Sequence, residues 1–231
     1  MLESNENHPY NHITNMELQG FFYSLLKDTR YHNLHNNSIT KFFTFSPLLP
    51  IRDYKKGEQK TIIFSTPTTK LANTIYHRLK SIDSVRLKDK ILRIKNIEKL
   101  SKINFQSLIT KTPITLFKTL NKKEDVSFIS FKNDSVDFFL DKLKNNALKK
   151  YNLYFNDEYH FDEPLFDSLQ YNKEVAVSLK NKNGNPFLVI GSLWDNLVLN
   201  NDIESKFYDF IYEAGLGGKN SLGFGFLNKK A

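Results

Sequence analysis

Apolar residues recur at helical spacing early in the chain. Leu18, Phe21, Phe22 and Leu25 fall at i, i+3, i+4 and i+7, which predicts a helix over 15–28 with one apolar face. Thr14 and Glu17 have the spacing of a capping box at its start. The polar stretch 28–40 contains His32 and His35 among several asparagines and predicts a loop. Aromatic and β-branched residues at 41–46 predict a strand that ends at Pro47 and Pro50. A second strand is expected at 61–65. A helix follows, with Thr66 as its cap, Pro67 at its first position, and Leu71, Ile75 and Leu79 on its buried face. Residues 89–97 alternate apolar and polar, as a half-buried strand does.

The second half repeats this order. Strands are expected at 103–109 and, less regularly, at 126–131. Asp134 is placed to cap a helix carrying Val136, Phe139, Leu140, Leu143 and Ala147 on one stripe. A hairpin is expected from 174–179 and 187–193 around Asn183 and Gly184. A last helix carries Ile203, Phe207, Phe210, Ile211 and Ala214, and a short strand at 223–227 follows. The fold class read from this order is α+β: two tandem ferredoxin-like (RRM-like) βαββαβ domains. They span 1–100 and 101–231, with the boundary near 98–104. The first domain shows no initial strand, because residues 1–13 lack a core-strand alternation.

Charge narrows the partners. The chain has 33 Lys and Arg against 25 Asp and Glu, and a pI of about 9.3. That balance suits a polyanion, although a generally solvated surface has the same composition. Segment 78–102 holds nine basic residues against three acids, and Lys90, Arg93 and Lys95 are expected on one sheet face, which suits phosphate contacts and plain solvation equally. With no cysteine, disulfides and thiol nucleophiles are excluded. No apolar run approaches the ~18 residues of a membrane span. The polar N-terminus does not read as a signal peptide, so a cytoplasmic location without membrane partners is expected.

Five of the nine glycines fall between Gly215 and Gly225. Glycine serves positive φ and close backbone approach, and bare amides in such a loop suit phosphate oxygens. Lys219 adds a charge, and Asn220 and Ser221 add donors. The segment follows a helix C-terminus, so a capping turn into an edge strand explains the same residues equally well.

The spacing glycine–hydrophobic–glycine, five residues, glycine–hydrophobic–glycine is met by Gly215, Gly217, Gly223 and Gly225. In this the chain resembles the CRISPR-associated endoribonucleases of the RAMP superfamily. The segments at 18–26, 41–48, 64–79 and 191–194 are similar to that family in the same order. The resemblance implies metal-independent, cofactor-free cleavage of CRISPR repeat RNA, by 2′-OH attack that leaves 2′,3′-cyclic phosphate and 5′-OH ends. It also implies RNA contacts from Gly215, Gly217, Gly218, Lys219, Asn220, Ser221, Gly223 and Gly225. The family keeps its histidine in the loop after the first helix. His35, six residues before Lys41, is the first candidate for proton transfer and His32 the second. Lys41 would stabilise the phosphorane and Tyr23 would assist, with Tyr31 as second choice. Solvated-loop roles for the histidines and a packing role for Tyr23 stand beside these. The alternative function is a non-catalytic RAMP-type subunit that holds guide RNA. The expected partners are repeat RNA and other CRISPR effector subunits, with the chain as monomer or homodimer.

Overall fold

The computed structural model describes residues 1–34, 40–101, 104–119, 126–180 and 184–230. It divides into two compact units: Met1–Ile103 with Ser221–Gly223, and Asn104–Asn220 with Phe224–Ala231. Among the described residues, no helix is long and apolar enough to cross a membrane.

The first unit contains β1 (Leu2–Ser4), α1 (Asn15–Leu25), β2 (Thr44–Phe45), β3 (Gln59–Lys60), β4 (Phe64–Ser65), α2 (Thr69–Lys80), β5 (Ser84–Leu87) and β6 (Lys90–Ile94). β1 lies between β3 and β6 and is antiparallel to both. β2 pairs antiparallel with β4, and Thr61 bridges to Leu49. Residues 59–65 therefore act as one interrupted strand, serving β1 at one end and β2 at the other. With α1 and α2 this is the βαββαβ order, and β5 adds an edge strand.

The initial strand missing from the sequence pattern is thus present, and it is central. It is only three residues long, with Leu2 and Ser4 buried on either side of a half-exposed Glu3. That is too short for an alternation to register.

α1 has its capping box: the Thr14 backbone N–H and hydroxyl both reach Glu17. Leu18, Phe21, Phe22 and Leu25 are all buried. The Phe22 ring lies 5.2 Å from Phe45 and 4.8 Å from Phe64. The helix stops three residues short of the expected 28, and Asp28 takes a left-handed φ of 58°. α2 is capped at Thr68 rather than Thr66. The Thr66 hydroxyl instead donates to the Phe42 carbonyl (2.6 Å) and accepts from the Thr68 N–H (3.2 Å).

The expected basic face on 89–97 does not form. Lys90 and Arg93 are three apart on a strand, so they point to opposite sides. Lys90 pairs with Glu6 (3.1 Å) and Asp89 (3.4 Å), and Lys95 with Glu3 (3.6 Å). β5, which the sequence reading did not foresee, joins β6 through Lys88 in the left-handed region (φ 59°).

The second unit contains β7 (Ser107–Thr110), β8 (Phe117–Thr119), β9 (Val126–Phe128), α3 (Val136–Phe155), β10 (Phe166–Lys180), β11 (Pro186–Leu199), α4 (Ser205–Ala214) and β12 (Leu227–Lys229). The sheet order is β10-β11-β7-β12, antiparallel throughout. This is again βαββαβ, with the β8–β9 hairpin inserted before α3. α3 is capped by Ser135, which accepts from the Phe138 N–H, and not by Asp134. The Asp134 carboxylate instead accepts from Lys118 and the Ser130 N–H.

β10 and β11 run 15 and 14 residues, well beyond the expected hairpin. β10 is polar and largely exposed on both sides, so it gives little apolar signal. Asn183 of the expected turn lies outside the described residues. Of the aromatic residues at the end of α3, Tyr151 is core: it is 1% exposed and packs on Phe207 and Phe210, whereas Phe155 is exposed.

Candidate functional site

The glycine-rich segment begins where α4 ends. Gly215 closes the helix with φ 85°, its N–H donating to the Ile211 carbonyl. The four signature glycines all take positive φ: 85° at Gly215, 74° at Gly217, 77° at Gly223 and 65° at Gly225. Gly225 has no alternative, because a Cβ there would stand 1.8 Å from the Leu216 carbonyl oxygen. The short terminal strand therefore begins at Leu227, later than the expected 223–227, since positive φ at Gly223 and Gly225 interrupts extended pairing.

Several amides of the segment are engaged within the second unit. Leu216 N–H donates to the Gly225 carbonyl (2.9 Å), Gly218 N–H to Thr115 (2.7 Å) and Gly225 N–H to Pro113 (2.9 Å). Phe226 N–H donates to the Thr112 hydroxyl (2.7 Å). A nest of bare amides is therefore not what these positions offer. Gly215, Gly217, Gly223, Gly225 and Asn220 are buried, whereas Gly218, Lys219 and Ser221 are half-exposed. Lys219 sits at φ 54°, its ammonium 5.3 Å from the ring centre of Phe117 and 6.0 Å from those of Phe128 and Phe187. Burial pulls its pKa below the usual lysine value.

Beneath the segment lies Lys150 of α3, a residue the sequence reading did not single out. Its ammonium donates to the carbonyls of Gly215 (2.5 Å) and Gly217 (3.0 Å) and to Asn220 Oδ1 (3.0 Å). The Asn220 amide nitrogen in turn donates to the Leu216 and Phe224 carbonyls.

The tip of the segment, Ser221–Gly223, belongs to the first unit, where α1 holds it. Asn15 Nδ2 donates to the Leu222 carbonyl and Gln19 Nε2 to the Ser221 carbonyl, both at 2.8 Å. The Tyr23 hydroxyl pairs with the Ser221 side chain. Residues 15, 19 and 23 are spaced by four, so one stripe of α1 grips the tip. Tyr23 is half-buried, edge-on to Phe43 at 5.9 Å. Burial raises its pKa, and the Ser221 hydrogen bond works against that rise. Gly223 lies against Phe45.

The remaining candidates are spread along the same unit. His32 is exposed and opens a short 3₁₀ turn (His32–Leu34), its Nδ1 accepting from the Asp28 N–H at 3.4 Å. Tyr31 is half-buried against the core, with the Arg30 guanidinium 5.9 Å from its ring centre. Lys41 is half-buried, just ahead of β2. His35 lies outside the described residues. Among the candidate groups, the structure brings Tyr23 and Ser221 together.

Two histidines with no expected role are also placed. His8 is buried, stacks on Tyr54 at 4.1 Å, and has its pKa lowered chiefly by burial. His12 pairs with Asp89 at 2.5 Å. Among the described residues, no group of three or more His, Asp and Glu side chains is arranged to hold a metal ion.

The family model described as CRISPR associated protein Cas6, C-terminal, matches residues 92–229. The chain is similar to CRISPR-associated endoribonuclease Cas6 2 of Methanocaldococcus jannaschii, at 37% identity over 227 residues, which covers 95% of this chain and 93% of the relative. In fold it is similar to a solved CRISPR associated protein Cas6, with a TM-score of 0.74 at 22% identity, covering 100% of this chain and 97% of the other. A solved Cas6 product complex has a TM-score of 0.65 at 14% identity, covering 98% and 96% of the two chains. These likenesses extend over nearly the whole chain and bear out the α+β fold class. With the signature glycines, the paired βαββαβ units and a close relative along nearly its whole length, the chain belongs to the Cas6 family of CRISPR-associated endoribonucleases.

Proposed function

We propose that this chain cuts CRISPR repeat RNA by attack of a ribose 2′-OH on the adjacent phosphate, leaving 2′,3′-cyclic phosphate and 5′-OH ends. The RNA supplies its own nucleophile. The protein must align the 2′-oxygen with the phosphate, move two protons and stabilise the added charge of the phosphorane. In this reading His35 transfers a proton as general base or acid, Lys41 stabilises the phosphorane and Tyr23 orients the reacting group. Gly218, Lys219 and Ser221 meet the RNA backbone. The buried Gly215, Gly217, Asn220, Gly223 and Gly225 shape the loop that presents them.

The observation that carries this reading is the pairing of Tyr23, on α1, with Ser221 at the tip of the glycine-rich segment. It joins a candidate catalytic residue to the signature segment within one unit. The test is incubation with repeat RNA in excess EDTA. A single cut bearing a cyclic phosphate is expected, and a 2′-deoxy residue at the cut site should abolish cleavage while sparing binding. Binding without any cut would leave a guide-RNA-holding subunit as the function.

A further inference from the structure

Lys150 occupies a position where helix packing calls for an apolar residue. It lies on the buried stripe of α3 with Phe139, Leu143, Ala147 and Tyr151. Its side chain does not snorkel to water; the residue is 7% exposed. An ammonium has three N–H donors. Here three acceptors meet it, Gly215 O, Gly217 O and Asn220 Oδ1, all from the glycine-rich segment. A neutral amine has two N–H groups and a lone pair, and would turn that lone pair onto one of these oxygens. The three partners are uncharged, so they orient the ammonium without cancelling its charge.

This arrangement serves the loop more than the core. Even a buried ion pair can be replaced whole by well-packed apolar residues with little loss of stability, so a buried charge is weak evidence for a role in the core. The three acceptors span residues 215–220 of the segment, and each bond fixes a different point of it. Two loop carbonyls that would otherwise present negative oxygen to a bound phosphate are turned onto a cation. We propose that Lys150 is a positioning residue for RNA: an internal cation that holds the glycine loop in its RNA-binding shape and adds positive potential beneath it. This rests on the reading of the loop as an RNA contact. Burial draws the ammonium's pKa down to about 7. A phosphate bound to the loop would favour the charged form.

The test compares the full chain with Lys150→Met, a variant of similar length and apolar character, using repeat RNA with a 2′-deoxy cut site for binding and all-ribose RNA for cleavage. The variant should stay folded by circular dichroism. Its affinity for RNA should fall about tenfold or more, as expected for a lost contribution to phosphate binding. The loss should appear in KM, with kcat changed far less. A folded Lys150→Met that binds within twofold of the parent overturns the proposal, and so does a loss confined to kcat. If the parent itself fails to bind repeat RNA, the loop reading falls instead. Should Lys150→Met not fold, NMR of the parent with ¹⁵N-lysine decides. One side-chain nitrogen with slowly exchanging protons should shift when the 2′-deoxy RNA is added, and an unmoved signal overturns the proposal.

Discussion

Gly223 is pressed against the ring of Phe45: a Cβ added at Gly223 would stand 2.5 Å from Phe45 Cε2. The same glycine takes φ 77°, where an L side chain is strained even in open space. Gly223→Ala should therefore destabilise the protein by about 2 kcal/mol or more, combining left-handed strain with overpacking. Urea denaturation measures the loss. Adding Phe45→Leu should recover part of the overpacking and none of the strain. Full recovery in the double variant would mean that the backbone conformation is not costly.

Tyr23→Phe removes one hydroxyl and keeps the ring edge-on to Phe43. Stability should change by only about 1 kcal/mol, the worth of one partly exposed hydrogen bond. If Tyr23 orients the reacting group, the single-turnover cleavage rate should drop about tenfold or more, within the range of positioned acid–base groups. Ser221→Ala, which removes the partner hydroxyl, separates the two effects. A Tyr23→Phe enzyme as fast as the parent would leave this tyrosine as packing.

The two loop histidines should behave differently. His32 is exposed and its Nδ1 already accepts from the Asp28 N–H, which leaves only Nε2 for substrate. His35→Ala should lower the cleavage rate by about 100-fold or more, whereas His32→Ala should stay within a few-fold of the parent. Rates measured at saturating RNA across pH 5–8 make the comparison. The reverse ranking would move the proton-transfer role to His32.

The His12 ring beside Asp89 holds that carboxyl down at about 2, against an ordinary 3.8. A carboxyl whose folded pKa is depressed contributes stability that is present above its ordinary value and lost as pH falls through the folded one. The contribution of this pair should therefore fade between roughly pH 4 and pH 2. His12→Ala should return the Asp89 carboxyl to the usual carboxylate range in an NMR titration. An unmoved Asp89 would show that the pairing is not what depresses it.

Legibility in the sequence followed apolar contrast. The start and buried face of α1 could be read, because Leu18, Phe21, Phe22 and Leu25 contrast with polar neighbours and Thr14 and Glu17 mark the start; its end could not. β1 could not be read, since three residues cannot display a period. β10 stayed partly hidden because both its sides are largely exposed and polar.

The site divides the same way. The signature glycines were visible as a spacing, and their positive φ values give that spacing a physical cause. The stripe of Asn15, Gln19 and Tyr23 was not visible as a binding surface, because polar residues at helical spacing look like a solvated face. Lys150 was hidden for a related reason. A lysine on an apolar stripe ordinarily extends to water, and only tertiary structure brings loop carbonyls to its ammonium.

The inclusion of Ser221–Gly223 in the first unit bears on how the protein is made. A chain leaves the ribosome from its N-terminus, and modules usually fold as they emerge. Here β1 waits for Gln59–Lys60 and Lys90–Ile94 before its pairing is complete. Even then Asn15, Gln19 and Phe45 lack what they will finally hold, until residues 221–223 have been translated. The module synthesised first is thus completed only near the end of the chain, so a chain stalled or terminated before residue 221 carries a first unit that lacks the segment held by α1.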